Sequence, residues 1–420
     1  MEWTPLPGCP DWFGAEVAAD VATLLADDDG AAAAAALLDE RGLLCFRDQR
    51  ITPAQEVAFY KRFGLFDEAA THLVDSTASM YQIPAAPEAV VIGNAELQDH
   101  HGLSGTITQK GGNYHWHYDS DSFRTLPATA SQIYCVEIPD PRRHDSESLD
   151  MSNGRQLTFA PGATGFVSTA RCYELLDEPT RQYVDKCVVH YAPRYTLRTM
   201  PLNIGTGGDG VRPKVQFDPW NTTTSAADGT ATGGPAADGN ERVWVQAQGG
   251  GGGEWADSSY LGDVNKYSNR VDEALPTSAH HPQHAVSHPL VWRHPTTGRN
   301  AVQVHAVCMH HVEHVEGDGH LSWEDSMRLI ERAIVDKGAQ PETVYCHAWR
   351  EKDLIIWDNR QLLHRVLPAG YASAGGRRVM HRVALPGKWW PAGPLGEDGK
   401  EIASSNPFNK QQALRQQAAL

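Results

Sequence analysis

The stretch Asn113-Tyr-His-Trp-His-Tyr-Asp-Ser-Asp-Ser-Phe123 contains a histidine and an aspartate two residues apart, His117 and Asp119. In a β-strand, residues two apart point to the same face, so these side chains can offer a nitrogen and an oxygen to one cation. Far downstream, Trp357-Asp-Asn-Arg-Gln-Leu-Leu-His364 supplies another histidine, His364, that would complete a set of three ligands. Two histidines and one carboxylate with open positions opposite them are typical of non-haem Fe(II) oxygenases. The sequence therefore predicts an iron site.

The composition is that of a globular protein long enough for one large domain. The chain has 420 residues, of which 41% are hydrophobic and 21% are charged. Its formal net charge of −16 argues against a nucleic-acid or anionic-membrane partner, because those partners bind basic surfaces. A few arginines can still make one pocket positive, so a small anionic substrate stays open. A homo-oligomer stays open as well.

The cysteines and the N-terminal residues indicate a cellular compartment. Seven cysteines are scattered along the chain without a C-x-x-C spacing, so neither a disulfide framework nor a cysteine-based zinc site is expected. The first residues lack a basic segment followed by an apolar one, and no apolar run is long enough to span a bilayer. We therefore expect a cytoplasmic protein with no membrane partner.

Local patterns predict many short strands with a few helices around them. Helices are expected over residues 15–41 with a break at Gly30, from a capping box that begins at Thr52, and over residues 322–337. Strands are expected at the short apolar runs 43–46, 131–137, 187–190, 301–305 and 353–357. This order is typical of a mainly β protein, a barrel or a sandwich, with flanking helices.

We expect one domain over residues 1–420, interrupted by loop insertions. Residues 203–285 include glycine-, threonine- and alanine-rich runs that are poor in core residues, and residues 139–161 are irregular. Both ranges are predicted to be loops at the surface, where such sequence is tolerated. Whether the longer insertion is a lid over the site or a passive loop is left open.

A hairpin that returns from His364 would bring an arginine to the predicted site. In Arg377-Arg-Val-Met-His-Arg-Val383, strand alternation places Arg378, Met380 and Arg382 on one face. The planar guanidinium of arginine matches a carboxylate through two charge-assisted hydrogen bonds. A co-substrate that carries a carboxylate next to the metal is the natural interpretation.

At four places the chain resembles the taurine dioxygenase/TfdA-like family of Fe(II)- and 2-oxoglutarate-dependent dioxygenases. The similar segments are Arg41-Gly-Leu-Leu-Cys-Phe-Arg-Asp-Gln49 with the helix after Thr52, the stretch from Asn113 to Phe123, His288-Pro-Leu-Val-Trp-Arg-His-Pro-Thr-Thr-Gly298, and the closing segment from Trp357 to Arg382. The resemblance implies a double-stranded β-helix core, a cupin-like jelly roll. It also implies His117, Asp119 and His364 as the catalytic metal ligands.

The resemblance implies further roles for four residues. Arg378 would bind the distal carboxylate of 2-oxoglutarate, assisted by Thr164, although Ala163 stands where the family usually has aspartate. Asn113 falls where the family places a group near substrate or co-substrate. Arg382 matches an arginine that sulfonate-oxidising members use for their anionic substrate, and the competing interpretation is a salt bridge within the barrel.

The implied activity requires Fe(II), 2-oxoglutarate and O2. The expected reaction is hydroxylation of a small, polar, anionic molecule similar to taurine or an alkylsulfonate, with release of succinate and CO2. The alternative is a non-sulfonate substrate such as xanthine, which some fungal members of the family oxidise.

Two other classes of protein compete with this interpretation. His115, His117 and Asp119 form an H-x-H-x-D string as in zinc-dependent metallo-hydrolases, but that class needs a histidine directly after the aspartate and this chain has Ser120. A non-catalytic binding protein would have no reason to keep a full ligand set. Outside these motifs, we expect residues 310–314 to be a histidine patch on a helix, either solvated or lining a subsite, and the histidines of 280–288 to lie at the surface.

Overall fold

The structure of the chain, a computed structural model, describes residues 1–66, 81–108, 116–119, 126–140, 144–150, 155–191, 242–246, 253–257, 286–305, 309–317, 321, 323–367, 376–395 and 401–404. Within these ranges the protein is mainly β with a few helices, as the sequence predicts. No helix in this part of the chain is long and apolar enough to cross a membrane.

The N-terminal elements combine three short strands with three helices. They are β1 (Trp3–Pro5), β2 (Ala15–Val17), α1 (Val21–Leu25), α2 (Asp28–Arg41), β3 (Leu43–Phe46) and α3 (Pro53–Arg62). The capping box predicted at Thr52 is present, since its side chain accepts from the Gln55 backbone while the Gln55 side chain bonds the Thr52 backbone. The strand predicted at residues 43–46 is present as β3.

The helical segment expected over residues 15–41, with a break at Gly30, is wrong in two respects. Residues 15–17 form strand β2, and Asp20 begins a separate helix by accepting hydrogen bonds from the Ala22 and Thr23 backbones. The break falls at Asp27, where the backbone is extended, whereas Gly30 lies inside α2. Composition alone favoured a helix throughout, but the polar cap decides where each helix starts.

The remaining elements are mostly short strands. They are β4 (Gln82–Ile83), β5 (Ala86–His100), β6 (Leu103–Thr108), β7 (Ala130–Glu137), β8 (Glu147–Asp150), β9 (Gln156–Phe159), β10 (Thr164–Ser168), α4 (Thr169–Glu174), α5 (Glu178–Val184), β11 (Cys187–Tyr191), β12 (Arg242–Gln246), β13 (Gly253–Asp257), β14 (Val286–Pro289), β15 (Val291–Arg293), β16 (Asn300–Val302), β17 (Met309–His314), α6 (Trp323–Ile330), a π-helical turn (Glu331–Val335), α7 (Asp336–Gly338), β18 (Tyr345–His347), β19 (Leu354–Asp358), β20 (Leu362–Val366), β21 (Arg378–Val383), β22 (Ala392–Leu395) and β23 (Glu401–Ala403).

Nine of these strands form one large sheet. Its order is β1-β2-β3-β19-β7-β21-β5-β4, with β6 paired to β5, and all pairings except β2 with β3 are antiparallel. A second sheet has the order β18-β10-β20, and a third has the order β14-β11-β17. Because strands from both ends of the chain alternate in the large sheet, its register brings remote sequence segments together.

Side-chain alternation divides the large sheet into two faces. The inner face, which includes Cys45, Ile133, Trp357 and Met380, packs with Phe166 of the second sheet. The outer face packs against the N-terminal helices in a separate apolar cluster. A third cluster lies beyond the second sheet and includes buried residues of β11 and α6. The architecture is therefore a layer of helices, the large sheet, and the smaller sheets.

The predicted insertions have different outcomes. Within residues 139–161 the structure contains an antiparallel hairpin, Glu147–Asp150 with Gln156–Phe159, so the expectation of an irregular loop is wrong there. Leu157 and Phe159 are buried, which gives this hairpin an apolar side to pack. Most of residues 203–285 lies outside the described residues, apart from the paired strands β12 and β13.

A buried ionic network holds the turn that links β19 of the large sheet to β20 of the second sheet, the strand that carries His364. Asp358 accepts from Arg360 Nε at 2.8 Å and Arg360 Nη2 at 2.8 Å, and lies 2.9 Å from His294 Nε2. Burial opposes ionisation of Asp358, but Arg360 and His294 hold the pKa of its carboxyl well below the usual range. Two segments that the sequence analysis singled out separately thus meet at one carboxylate.

We predict that Asp358→Ala lowers the free energy of unfolding by about 3–5 kcal/mol, because it leaves the Arg360 guanidinium buried without its main counter-ion. Urea unfolding measures the change. The matched control is Asp325→Ala, which removes an exposed ion pair with Arg328 and should cost no more than about 1 kcal/mol. Equal effects of the two substitutions would contradict the structural role of Asp358.

Candidate metal centre

His117 and His364 meet through their backbones. The His117 amide donates to the His364 carbonyl at 3.0 Å, and the His364 amide donates to the His117 carbonyl at 2.9 Å. They form an isolated antiparallel bridge, and their ring centroids are 4.3 Å apart. Residues paired directly opposite in this way project their side chains to the same face. The backbone therefore aims both imidazoles at one point.

Asp119 completes the group that the sequence predicts. One ligand atom from each of His117, Asp119 and His364 lies within 4.8 Å of the others. Asp119 Oδ2 is 3.8 Å from His364 Nε2, which is too long for a hydrogen bond. Two ligands of one cation, each roughly 2.1 Å from it, can lie up to about 4.2 Å apart. Asp119 Oδ2 is buried and has no hydrogen-bond partner among the described residues, so the set fits a metal ion.

Arg382 holds the other oxygen of the same carboxylate. Its Nη1 donates to Asp119 Oδ1 at 3.1 Å, from a side chain that is only 15% exposed. Burial opposes ionisation of Asp119, but Arg382, with His364 and His117, holds the pKa of its carboxyl well below the usual range. Asp119 is therefore an anion across the physiological range, with one oxygen oriented by Arg382 and the other directed to the histidines. This is the salt bridge that the sequence analysis weighed against a substrate contact.

Aromatic side chains surround His364. Its ring lies 4.7 Å from the Trp357 ring and 6.2 Å from the Phe166 ring, measured between centroids. Burial, together with the neighbouring His117, lowers the pKa of His364 to about 3. The imidazole is therefore neutral at physiological pH, which is the form that binds metal ions.

Arg378 and Thr164 lie on strands that border the same interior. Arg378 is 5% exposed and shares a face of β21 with Arg382, as alternation predicts. Its strand approaches β5 so closely at Gly93, where φ is +140°, that a Cβ there would lie 1.9 Å from the Arg378 carbonyl oxygen. Thr164 is 1% exposed, and its hydroxyl accepts from Trp349 Nε1 at 2.9 Å. Asn113 lies outside the described residues.

Sequence reasoning missed His305 as a neighbour of the centre. Its ring centroid lies 5.6 Å from that of His117 and 5.6 Å from that of Tyr118, and the residue is 7% exposed. Its backbone amide bonds the hydroxyl of Tyr191, to which Tyr118 also donates. The available signal was a histidine at the end of an apolar run, which is too common to identify a site.

Two expectations about other histidines are wrong. Residues 309–314 form strand β17 rather than a helix, and His311 there stacks on His190 with ring centroids 4.4 Å apart. His288 is fully buried rather than at the surface, and its Nδ1 lies 2.8 Å from the Ser404 hydroxyl. In both cases pairing with β11 decides the position, since it incorporates these residues into the third sheet.

A mainly β fold with a buried set of two histidines and one carboxylate defines a class of metal-dependent oxygenase. The sequence profile of the taurine catabolism dioxygenase TauD, TfdA family matches residues 2–384. The chain belongs to this family.

Relatives and solved structures agree with the family. The α-ketoglutarate-dependent xanthine dioxygenase of Schizosaccharomyces pombe is 22% identical over 402 residues, and the alignment covers 86% of this chain and 81% of that enzyme. The α-ketoglutarate-dependent 2,4-dichlorophenoxyacetate dioxygenase of Cupriavidus pinatubonensis is 35% identical over 337 residues, and the alignment covers 78% of this chain and 80% of that enzyme. A taurine dioxygenase structure from Burkholderia xenovorans shares the fold with a TM-score of 0.53 and 20% identity, covering 97% and 96% of the two chains.

The protein is therefore an Fe(II)- and 2-oxoglutarate-dependent dioxygenase that acts on a small molecule with O2. This excludes the zinc hydrolase and the non-catalytic binding protein as classes. Iron and 2-oxoglutarate together supply the oxidising power for substrate oxidation, and 2-oxoglutarate is released as succinate and CO2.

We predict that Arg382→Met raises the pKa of Asp119 in the metal-free protein, because burial then acts on the carboxyl without its closest cation. NMR titration of carbon-labelled aspartates measures the shift. Arg377→Met is the matched control, since Arg377 is on the same chain segment but is exposed and pairs with Glu137. An Asp119 titration that is the same in both variants would exclude Arg382 as the main cause.

Proposed function

We propose that His117, Asp119 and His364 hold the iron of this dioxygenase. The supporting observation is that one ligand atom from each residue lies within 4.8 Å of the others. One of these atoms, the buried Asp119 Oδ2, has no hydrogen-bond partner among the described residues. Two histidines and one carboxylate would hold Fe(II) and would leave coordination positions open to co-substrate, substrate and O2. Arg382 fixes the carboxylate and so positions the ligand without contacting the metal.

Arg378 and Thr164 are proposed to bind 2-oxoglutarate. A permanently charged guanidinium on the inner face of β21, among apolar residues such as Met380 and Cys135, is suited to a dicarboxylate that enters the interior. The Thr164 hydroxyl accepts its hydrogen bond from Trp349, so its own proton remains to be donated to a carboxylate oxygen. Asn113 keeps its proposed place near the substrate.

The sheets that enclose this site are proposed to be a double-stranded β-helix. The inner face of the large sheet packs against the three-stranded sheet β18-β10-β20, and the candidate ligand His364 comes from that second sheet. We assign the two sheets to a single dioxygenase domain, with residues 203–285 as an insertion within it.

We infer that the substrate is a planar polar heterocycle of the xanthine type. The observation that carries this inference is the ion pair between Arg382 and Asp119. A sulfonate such as taurine would have to compete with Asp119 for Arg382, at the cost of the carboxylate's orientation. A heterocycle that is recognised by hydrogen bonds requires no such exchange. The xanthine dioxygenase relative, which aligns over most of both chains, supports the same substrate class.

An aryloxyacetate is the second candidate. The relative that acts on 2,4-dichlorophenoxyacetate has the higher identity, 35% over 337 residues, although the xanthine enzyme aligns over 402 residues. Its substrate carries a carboxylate on a planar ring, so binding would again require a cation other than one already engaged by Asp119. Taurine and alkylsulfonates are the first expectation from the sequence. They are anionic and would also need a cation that Asp119 does not engage, so the substrate test includes taurine.

The substrate inference predicts that xanthine stimulates succinate formation from 2-oxoglutarate more than 2,4-dichlorophenoxyacetate or taurine does. Succinate is measured after anaerobic loading with Fe(II) and addition of O2. His364→Ala should abolish turnover with every substrate, whereas His144→Ala, at an exposed histidine far from the ligand set in sequence, should not. Stimulation by taurine alone would restore Arg382 as a substrate contact. Full activity of His364→Ala would remove the metal assignment.

For the co-substrate, we predict that Arg378→Ala raises the 2-oxoglutarate requirement about 10–100-fold while Mn(II) binding is kept. The reason is the loss of charge-assisted hydrogen bonds worth about 1.5–3 kcal/mol. The measurement is the KM for 2-oxoglutarate beside a metal titration. Arg377→Ala is the control, because it removes an exposed guanidinium one position away. An unchanged KM in Arg378→Ala would move the role to another cation.

A further inference from the structure

A second group of histidines lies on the outer side of strand β21. His100, His101 and His381 each offer a ring nitrogen within 4.8 Å of the others. His381 is 2% exposed, His100 is half-buried and His101 is exposed. None of them belongs to the proposed iron site, which faces the opposite side of the same strand. The group joins residues from distant parts of the chain.

The turn between β5 and β6 directs two consecutive histidines to the same side. Neighbouring residues of a regular strand point to opposite faces. Here Asp99 and His101 adopt left-handed backbone conformations, with φ of 53° and 51°. As a result the His100 and His101 rings both approach His381, at centroid distances of 5.1 and 5.5 Å. A left-handed backbone is unfavourable at a residue other than glycine, so the packing of this turn must stabilise it.

A fully buried carboxylate orients His381. Glu56 of α3 is 0% exposed, and its Oε1 lies 2.8 Å from His381 Nδ1. Its other oxygen, Oε2, is buried with no hydrogen-bond partner among the described residues. Metal-binding histidines commonly donate their second ring nitrogen to a carboxylate, which fixes the tautomer and makes the ring a stronger ligand. Glu56 stands in that relation to His381.

The nitrogen of His381 that points away from Glu56 meets His100. The two Nε2 atoms are 2.8 Å apart. Two ligands at right angles on one cation, each roughly 2.05 Å from it, would be separated by about 2.9 Å. Burial and the neighbouring His381 lower the pKa of His100 to about 4, and burial also lowers the pKa of His101. Both rings are therefore neutral at physiological pH and can present lone pairs.

We propose that His100, His101 and His381 form a second metal site, for a divalent transition metal that favours imidazole, such as Zn(II), Co(II), Ni(II) or Cu(II). A ligand set of three imidazoles suits these ions, whereas a carboxylate in the first set suits Fe(II) oxygenase chemistry. An open groove of about 500 Å³ leads to the site, and its lining includes His100, His101, Glu137 and Arg377. A cation can therefore reach the histidines from solvent without passing through the catalytic interior.

An ion bound at this site connects three elements of the fold. It joins the β5–β6 turn through His100 and His101, strand β21 through His381, and helix α3 through the Glu56 contact. Since β21 also carries Arg378 and Arg382, binding at the outer face holds the strand that positions the co-substrate and Asp119. The site thus stabilises the sheet from the side opposite to the reaction.

The experiment is titration of the full-length, metal-stripped chain with Co(II) and with Zn(II), in a His364→Ala background that disables the iron site. The test variant is His101→Asn, because asparagine tolerates the left-handed backbone but lacks the imidazole. The matched control is Asp99→Asn, which sits in the same turn with the same backbone sign and leaves the three histidines intact. Visible absorption of Co(II) and the Zn(II)-induced rise in Tm are the readouts.

We expect His364→Ala to bind one Co(II) per chain with the absorption of histidine ligation, and Asp99→Asn to leave that binding unchanged. Adding His101→Asn, or independently His100→Gln, should weaken Co(II) binding at least about tenfold, because the loss of even a residue that supports a ligand lowers metal affinity by about this factor. Either substitution should also remove the Zn(II)-induced rise in Tm. No Co(II) binding by His364→Ala, or equal binding with and without His101, would overturn the proposal. Neither outcome bears on the iron site, which is tested by turnover.

Discussion

The pair of backbone hydrogen bonds between His117 and His364 is the constraint on which the rest of the site depends. These residues are remote in sequence, and the bridge places both side chains on the same face of the paired backbones. Asp119 then needs only its two-residue spacing from His117 to join them. The turn that leads from β19 into the strand of His364 is held by Asp358, Arg360 and His294, so a buried ionic network supports the position of that strand.

Strand β21 connects the reaction chemistry to the rest of the fold. Its inner face carries Arg378 and Arg382, and its outer face carries His381. In a pleated strand these residues share one backbone, so anything that anchors the outer face also limits movement of the two arginines. An anchor on the outer face would therefore act on the side of β21 that faces the proposed iron site.

Sequence reasoning succeeded where the signal was local. The capping box at Thr52, the strand at residues 43–46 and the face shared by Arg378 and Arg382 follow from propensity and alternation. It failed where pairing with a remote strand decided the outcome, as for His288 and residues 309–314. His305 was missed for the same reason, since nothing near it in sequence indicates that β-sheet packing brings it to His117.

The amino-acid sequence by itself determined the class of enzyme, because the ligand spacing and the surrounding motifs are contiguous strings that resemble a known family. Only the tertiary structure decided that Arg382 bonds Asp119 and that His100, His101 and His381 meet. These contacts depend on strand register and on backbone conformation in one turn. Both arise from the packing of the whole sheet, and no local window of the sequence encodes them.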